Sequence, residues 1–287
     1  MDRGGPRRPL SAGVRRRRFF LTVADHALLI TGAAMFAVPI VFIALTALMT
    51  DRQALTKDLW PDPFVWSNFK AAWTKFPMYR YTWNTLQIAV LTTIGTVVSC
   101  VPVAYALSRL RWRYRQAAFV LILSTFMLPG QVTAIPLYII FVRLDWINTF
   151  RPLIVPSFFG DAFSIFLLRQ FFMSIPQEYV DAARVDGGNE FQIMLRVVVP
   201  LAKTAIMAIA LFNFMYAWND FFTPLLYLQD TDMYTLALGL QSFRTLHHVD
   251  WNLTLAASLL VTLPVMVIFF FAQKVFMEGV TLTGVKG

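Results

Sequence analysis

The sequence predicts an all-α membrane protein of six transmembrane helices, with a polar cytoplasmic hairpin between the fourth and the fifth. Three observations lead there. Hydrophobic residues fill 57% of the 287 positions and charged ones 14%, with a mean hydropathy of +0.59, more apolar matter than a soluble domain needs for its core. Apolar runs long enough to cross a bilayer recur along the chain, and a helix satisfies its own backbone in lipid. Arginines cluster at Arg15 to Arg18 and at Arg109, Arg111, Arg113 and Arg115, two crossings apart and so on one side of the membrane. The net charge of +9 is thereby an orientation signal, and no nucleic-acid partner is expected.

Residues 1–25 form a basic arm, expected to be disordered through Arg18 and to meet anionic membrane lipid. The apolar run from about His26 to Thr50 far exceeds the roughly 7 to 15 residues of a signal-peptide core and lacks a convincing cleavage site, so it reads as a retained first span. Asp51 to Trp83, rich in Trp, Phe and Pro, suits an external segment lying partly at the interface. The second span is Asn84 to Ser108, the third Ala117 to about Val142, and the fourth Pro152 to Phe172. The fifth runs from about Ala202 to Tyr227 and the sixth from about Leu253 to Phe276, closing a membrane domain over 26–276. Residues 228–252 are then an external loop and 277–287 a cytoplasmic tail, with both termini inside. Pro129, Pro136, Pro224 and Pro264 at membrane depth imply a kinked bundle around a cavity.

The hairpin, 174–201, is the one long polar interval between spans. Ser174 and Gln177 have capping-box spacing, Gly187 and Gly188 stop the first helix, and Asn189 with Gln192 starts the second, which Pro200 closes. Tyr179, Ala182, Ala183 and Asp186 share one side of the first helix; Phe191, Met194, Leu195 and Val198 form an apolar stripe on the second. Both are too short and too charged to cross a bilayer. Such a hairpin either packs on its own chain as an interfacial linker or docks into a soluble partner.

Catalytic chemistry has little to stand on. There is no phosphate-cradling P-loop and no Gly-x-Ser-x-Gly elbow, and His26, His247, His248 and Cys100 have no zinc spacing, so no catalytic residue, metal or bound cofactor is expected. Asp230 and Asp232 read as a solvated pair, Asp161 and Arg169 as boundary or bracing residues. The fifth span carries Tyr216, Trp218, Asn219 and Asp220, and an acid there is costly unless it faces a polar cavity. Aromatic faces with Asn and Asp suit a sugar; equally, Asn219 and Asp220 could brace neighbouring helices.

Asp181-Ala182-Ala183, three residues, Gly187, nine residues, then Val197-Val198-Val199-Pro200 resembles the EAA loop of permease subunits in ABC importers, Glu-Ala-Ala-x3-Gly-x9-Ile-x-Leu-Pro. Asp181 stands for the Glu and two valines for Ile and Leu, so charge and apolarity are kept. The Ala-Trp-Asn-Asp stretch and the ending Gly284-Val285-Lys286-Gly287 are similar to the maltose-type sugar permeases of bacterial inner membranes. The resemblance implies a transport subunit rather than an enzyme, forming the path for a sugar beside a second permease. It also implies an ATP-binding subunit dimer, carrying ATP and Mg, and an extracytoplasmic sugar-binding protein. Asp181, Ala182, Ala183, Gly187, Val197, Pro200 and Lys286 would then couple to the ATPase, Tyr216, Trp218, Asn219 and Asp220 would line the path, and Tyr234, Phe243 and Trp251 would meet the binding protein. A permease for another solute class shares the hairpin; a stand-alone secondary transporter would act without any ATPase.

Overall fold

A computed structural model describes residues 12–243 and 249–284, with side chains from residue 21 to 243, 249 to 270 and at 273. The long helices are α1 (Ala12–Ala47), α3 (Met78–Ser108), α7 (Ala162–Ser174), α11 (Lys203–Asn219) and α14 (Trp251–Gly284). Between them lie α2 (Ser67–Lys75), α4 (Arg115–Phe126), α5 (Gly130–Arg143), α6 (Arg151–Ile154), α8 (Gln177–Val185), α9 (Glu190–Ile193), α10 (Val199–Leu201), α12 (Phe222–Tyr227) and α13 (Leu236–Gly239).

Among the described residues four helical stretches are long and apolar enough to cross a membrane: 21–47 of α1, α3, Arg151–Ser174 through α6 and α7, and 251–270 of α14. Two further apolar stretches are bent pairs, α4 with α5 at 94° and the α9–α10 arm with α11 at 81°; counted as one span each, they bring the total to six. The third span, expected from Ala117 to about Val142 with prolines kinking it, is broken outright. Met127 to Pro129 break it, because Pro129 cannot donate a backbone bond and disfavours helix at the residue before it, and Gly130 then opens α5. The fifth apolar run is also interrupted, at Asp220, whose ψ of 118° is extended.

Other boundaries moved outward. Helix α1 already includes Arg15 to Arg18, where disorder was expected, since Arg is a good helix former and the apolar run behind it supplies the nucleus. Helix α3 begins at Met78, six residues before Asn84, and α14 continues past Phe276 to Gly284. Residues 1–11 of the arm, His247, His248 and Lys286 lie outside the described residues.

Helix α3 is the axis of the bundle, packed against α7, α11 and the 155–159 turn. One core forms at its C-terminal end, where Cys100, Tyr105 and Leu107 meet Leu168 and Phe172 of α7, Val180, Ile193 and Val198 of the hairpin, and Ile209 of α11. A second forms at the other end, around Met78, Tyr81, Trp218, Leu236, Phe243 and Ala256. Midway, a Cβ on Gly95 would lie 2.3 Å from Ser157 Oγ and 2.8 Å from the Phe158 ring, so only glycine lets α3 approach the turn this closely. Gly95→Val is expected to destabilise the bundle by about 1 to 3 kcal/mol through overpacking. A thermal melt in detergent measures it, with Gly32→Ala, whose Cβ meets nothing within 4 Å, as the neutral control.

Candidate functional site

The hairpin is anchored by the C-terminal end of α3. Buried Arg109 reaches across from it, donating from Nη1 to Gln177 Oε1 at 2.7 Å and from Nη2 to the carbonyls of Ile175, at 2.5 Å, and Phe172. The two carbonyls lie at the C-terminal end of α7, where a cation also complements the helix dipole. Tyr105 donates its hydroxyl to Glu190 Oε2 at 2.5 Å; Arg184 donates to Glu190 Oε1 at 2.8 Å and to Asp181 Oδ1 at 2.9 Å. Gln177 Nε2 donates to the same Asp181 oxygen at 3.2 Å. One polar chain thus joins α3, α8 and α9, tying both hairpin helices to α3.

Of the two expected capping boxes only the second forms. Asn189 Oδ1 accepts from Gln192 N–H at 2.9 Å, and Gln192 Oε1 from Asn189 N–H at 3.2 Å. Ser174 instead ends α7, donating to the Phe171 carbonyl at 2.7 Å, and Pro176 precedes α8 without a side-chain cap. The Gln177 side chain that the first box required is taken by Arg109 and Asp181. Gly187 turns the chain at φ +83°, and nothing lies within 4 Å of where its Cβ would be.

The apolar stripe on the second helix is rotated from the expected one. Ile193, Met194 and Val198 are buried with Val197 half-buried, whereas Phe191 and Leu195 are exposed. Met194 to Val198 form a π-helical turn, wide enough to receive the ring of Pro200, which would clash with a carbonyl four residues back in an α-helix. On α8 only Val180 is fully buried; Tyr179, Ala182 and Val185 face outward beside Asp181 and Gly187. The hairpin therefore exposes the apolar side chains of Tyr179, Val185, Phe191 and Leu195, held on a polar frame.

Glu190 is held below the usual carboxylate range, first by the Arg184 hydrogen bond, and the same bond raises Arg184. Because the folded value is depressed, the ionised carboxylate stabilises the hairpin fully at neutral pH, and this contribution disappears as pH falls through the depressed value. Half-exposed as the pair is, it is worth at most about 1 kcal/mol. Protection of the 177–193 amides, taken relative to the intrinsic exchange rate at each pH, should fall up to about fivefold on acidification in the wild type, and Glu190→Gln should flatten that response.

The second candidate site is the break in the fifth span. Tyr216 and Asp220, one helical turn apart, both line a cavity of about 120 Å³ beside α3 and one of about 410 Å³ beside α5. Asp220 Oδ1 accepts from Thr223 N–H at 3.1 Å, capping the turn that restarts the helix. Trp218 does not join them: two positions along it faces the opposite way, is 3% exposed, and stacks on Phe214 at 5.6 Å in the second core. Asn219 folds back on its own helix, donating to the Met215 carbonyl at 2.7 Å, so it neither lines these cavities nor braces a neighbour. Gln131 and Thr133, at the start of α5, belong to the larger cavity and escaped the sequence reading. The Pro129-Gly130 pair, a turn signal inside an apolar run, marks the place.

The described part of the 228–252 loop is mostly structural. Asn84 Nδ2 donates to the carbonyls of Asp232 and Tyr234 at 2.9 and 3.0 Å, and Thr85 Oγ1 accepts from Leu236 N–H at 2.8 Å, folding the loop onto α3. Ion pairs Arg80–Asp232 and Lys75–Asp250 fasten it further, so Asp232 is not a merely solvated acid. Phe243 is 1% exposed and packs edge-on against Phe76 at 4.9 Å, and Tyr234 is half-buried beside Tyr81. Phe243 is thereby a core residue with no surface to offer; of the three aromatic residues expected to dock a partner, only Trp251 is exposed. Asp161 caps α7 through Ser164 N–H, and Arg169 lies 4.0 Å from the Phe119 ring centre, so both are structural. Among the described residues no group of three or more His, Cys, Asp or Glu could hold a metal ion.

Comparison with known proteins places this geometry. Residues 100–281, from the second half of α3 through the hairpin and most of α14, match the family described as binding-protein-dependent transport system inner membrane component. An arabinooligosaccharides transport system permease protein of Bacillus subtilis (strain 168) is 32% identical over 237 residues, 82% of this chain and 84% of that one. An sn-glycerol-3-phosphate transport system permease protein of Shigella flexneri is 31% identical over 273 residues, covering 91% and 96%. The fold matches a chain of a bacterial ABC transporter involved in the import of the acidic polysaccharide alginate, with a TM-score of 0.78 at 23% identity over 93% of this chain and 99% of that one. This multi-pass membrane chain belongs to the family of binding-protein-dependent transport system inner membrane components.

Proposed function

We propose that this chain is one permease subunit of an ATP-driven carbohydrate importer, with its hairpin as the coupling element to a separate ATPase. The observation that carries the reading is the hairpin itself, an outward apolar surface at Tyr179, Val185, Phe191 and Leu195 mounted on the Arg109 and Glu190 network. A surface that must transmit force should not deform separately from the helix behind it. The names of the relatives, a transporter of arabinooligosaccharides and an importer of alginate among them, support the sugar class.

In this reading six spans, a second permease and this chain enclose the path, and an ATPase dimer sits below the hairpin with ATP and Mg on that partner. A binding protein delivers the sugar from outside, near the loop of Trp251. The positive-inside signal puts both termini, the basic arm and the hairpin in the cytoplasm, with lipid around α1. The 1–25 arm, the 26–276 permease domain and the 277–287 tail keep separate roles, with Lys286 in the tail toward the ATPase. Asp181, Ala182, Ala183, Gly187, Val197 and Pro200 shape the coupling surface, and Tyr216 and Asp220 line the path. ATP shifts the complex only as far as it binds one of two states more tightly; the hairpin carries that difference to the cavity.

The test is purification of the tagged chain from its own membranes in mild detergent, for wild type and Gly187→Arg. Arginine at φ +83° is strained by roughly 1 to 2 kcal/mol and puts bulk on the contact surface. A P-loop ATPase and a second permease should accompany the wild type, and the ATPase alone should be lost from the variant. A wild-type chain that emerges intact and alone would overturn the reading.

A further inference from the structure

Cargo charge divides the relatives, whose names include an oligosaccharide and a phosphate ester, so family membership does not decide it. The cavity between α5 and the break at Asp220 does. We infer that it takes uncharged, polyhydroxylated cargo and disfavours anionic saccharides and sugar phosphates, with Gln131 and Asp220 as specificity-determining residues. This rests on the reading of the chain as a saccharide permease.

The 94° bend between α4 and α5 brings the first turn of α5 to the cavity wall, with Gln131 and Thr133 on it. Opposite stand Tyr216, Asp220 and Thr223, and Leu137 and Phe222 complete an apolar side. About 410 Å³ is within the range of small-ligand sites, and this mixture of amide, hydroxyl and aromatic groups is what hydroxyl-bearing rings need. Among the described residues lining this cavity and its 120 Å³ neighbour there is no Lys, Arg or His, and Asp220 is the one full charge.

Asp220 uses Oδ1 to cap Thr223, and Oδ2 has no hydrogen-bond partner among the described residues. That oxygen can accept from a sugar hydroxyl, a charge-assisted bond, while it repels a carboxylate or phosphate. The N-terminus of α5 pulls the other way, with about half a positive charge. It is the weaker of the two, because Asp220 carries a whole charge and lines the same cavity.

The experiment uses the complex captured by the wild-type chain, in lipid nanodiscs without binding protein, so that only the membrane path is read. Saturation-transfer NMR is recorded with arabinotriose and maltotriose as neutral probes and with an alginate trisaccharide and glycerol 3-phosphate as anionic ones. The neutral probes should bind at least tenfold more tightly than the anionic ones. Asp220→Asn, which keeps the capping oxygen and so the fold, should narrow that ratio tenfold or more, and Gln131→Ala should weaken neutral binding several-fold. Anionic probes that bind the wild type as well as the neutral ones, or a ratio unmoved by Asp220→Asn, would overturn the inference. Saccharide-stimulated ATP hydrolysis separates the failures: if it persists without charge preference, only this inference falls, and if no saccharide of either charge binds or stimulates, the permease reading falls with it.

Discussion

Phe191→Asp is expected to reduce capture of the ATPase by this chain at least thirtyfold while leaving the fold intact. Phe191 is 64% exposed, whereas Ile193, Met194 and Val198 farther along the same arm are buried. A surface substitution of that kind changes stability by roughly 0.5 kcal/mol or less. At a partner interface the same ring is an aromatic anchor worth about 2 kcal/mol or more, and about 1.4 kcal/mol is a factor of ten in affinity. Titrating purified ATPase against the chain in nanodiscs reads the affinity, and circular dichroism reads the fold. Met194→Asp is the contrasting variant: Met194 is 4% exposed in the core, so an acid there should unfold the hairpin rather than weaken docking alone. Unchanged ATPase affinity in Phe191→Asp would remove the hairpin surface from the coupling role.

Arg109→Ala carries the second large effect. The guanidinium donates to Gln177 and to the carbonyls of Phe172 and Ile175, and it is 6% exposed. Without it two backbone acceptors at the end of α7 are left without this donor, and a hydrogen bond to a charged group is worth about 1.5 to 3 kcal/mol. Water entering the vacated space recovers part of this, so a net loss of about 3 kcal/mol is expected. It should appear as a lower melting temperature and as faster amide exchange across 174–190. Arg109→Lys should fall between, because an ammonium keeps the charge but not the planar fork that reaches several acceptors. If exchange in the hairpin stays at the wild-type rate in Arg109→Ala, the rigid link between α3 and the proposed coupling surface does not exist.

The two kinds of site were legible in the sequence to different degrees. Hairpin signals are local: Asn189 with Gln192 is a capping box within four residues, and Gly187 answers a backbone need for positive φ, so both read correctly from the chain alone. Arg109 and Tyr105 are sixty-eight and eighty-five residues from their partners Gln177 and Glu190, and no periodicity links them. Arg109 was legible only as one of a basic cluster, since a positive-inside signal counts charges without saying which of them turns inward. The proposed substrate path suffered from a similar loss. Ala217 to Asp220 is one short stretch of sequence, but a helix distributes it around its axis, sending Trp218 to the core and leaving Asp220 at the cavity.

By itself the sequence determined the all-helical membrane class, the positions of the apolar runs and the family resemblance. These follow from composition, from runs about as long as a bilayer is thick, and from motifs whose spacing is fixed along the chain. Tertiary structure alone decided which face of each helix is buried, how sharply the third and fifth apolar runs bend, and which polar groups meet. Burial and pairing depend on neighbours distant in sequence: Gly95 matters because Ser157 and Phe158 lie against it, Phe243 is core because Phe76 covers it, and Gln131 reaches the cavity of Asp220 because Pro129 turns the chain.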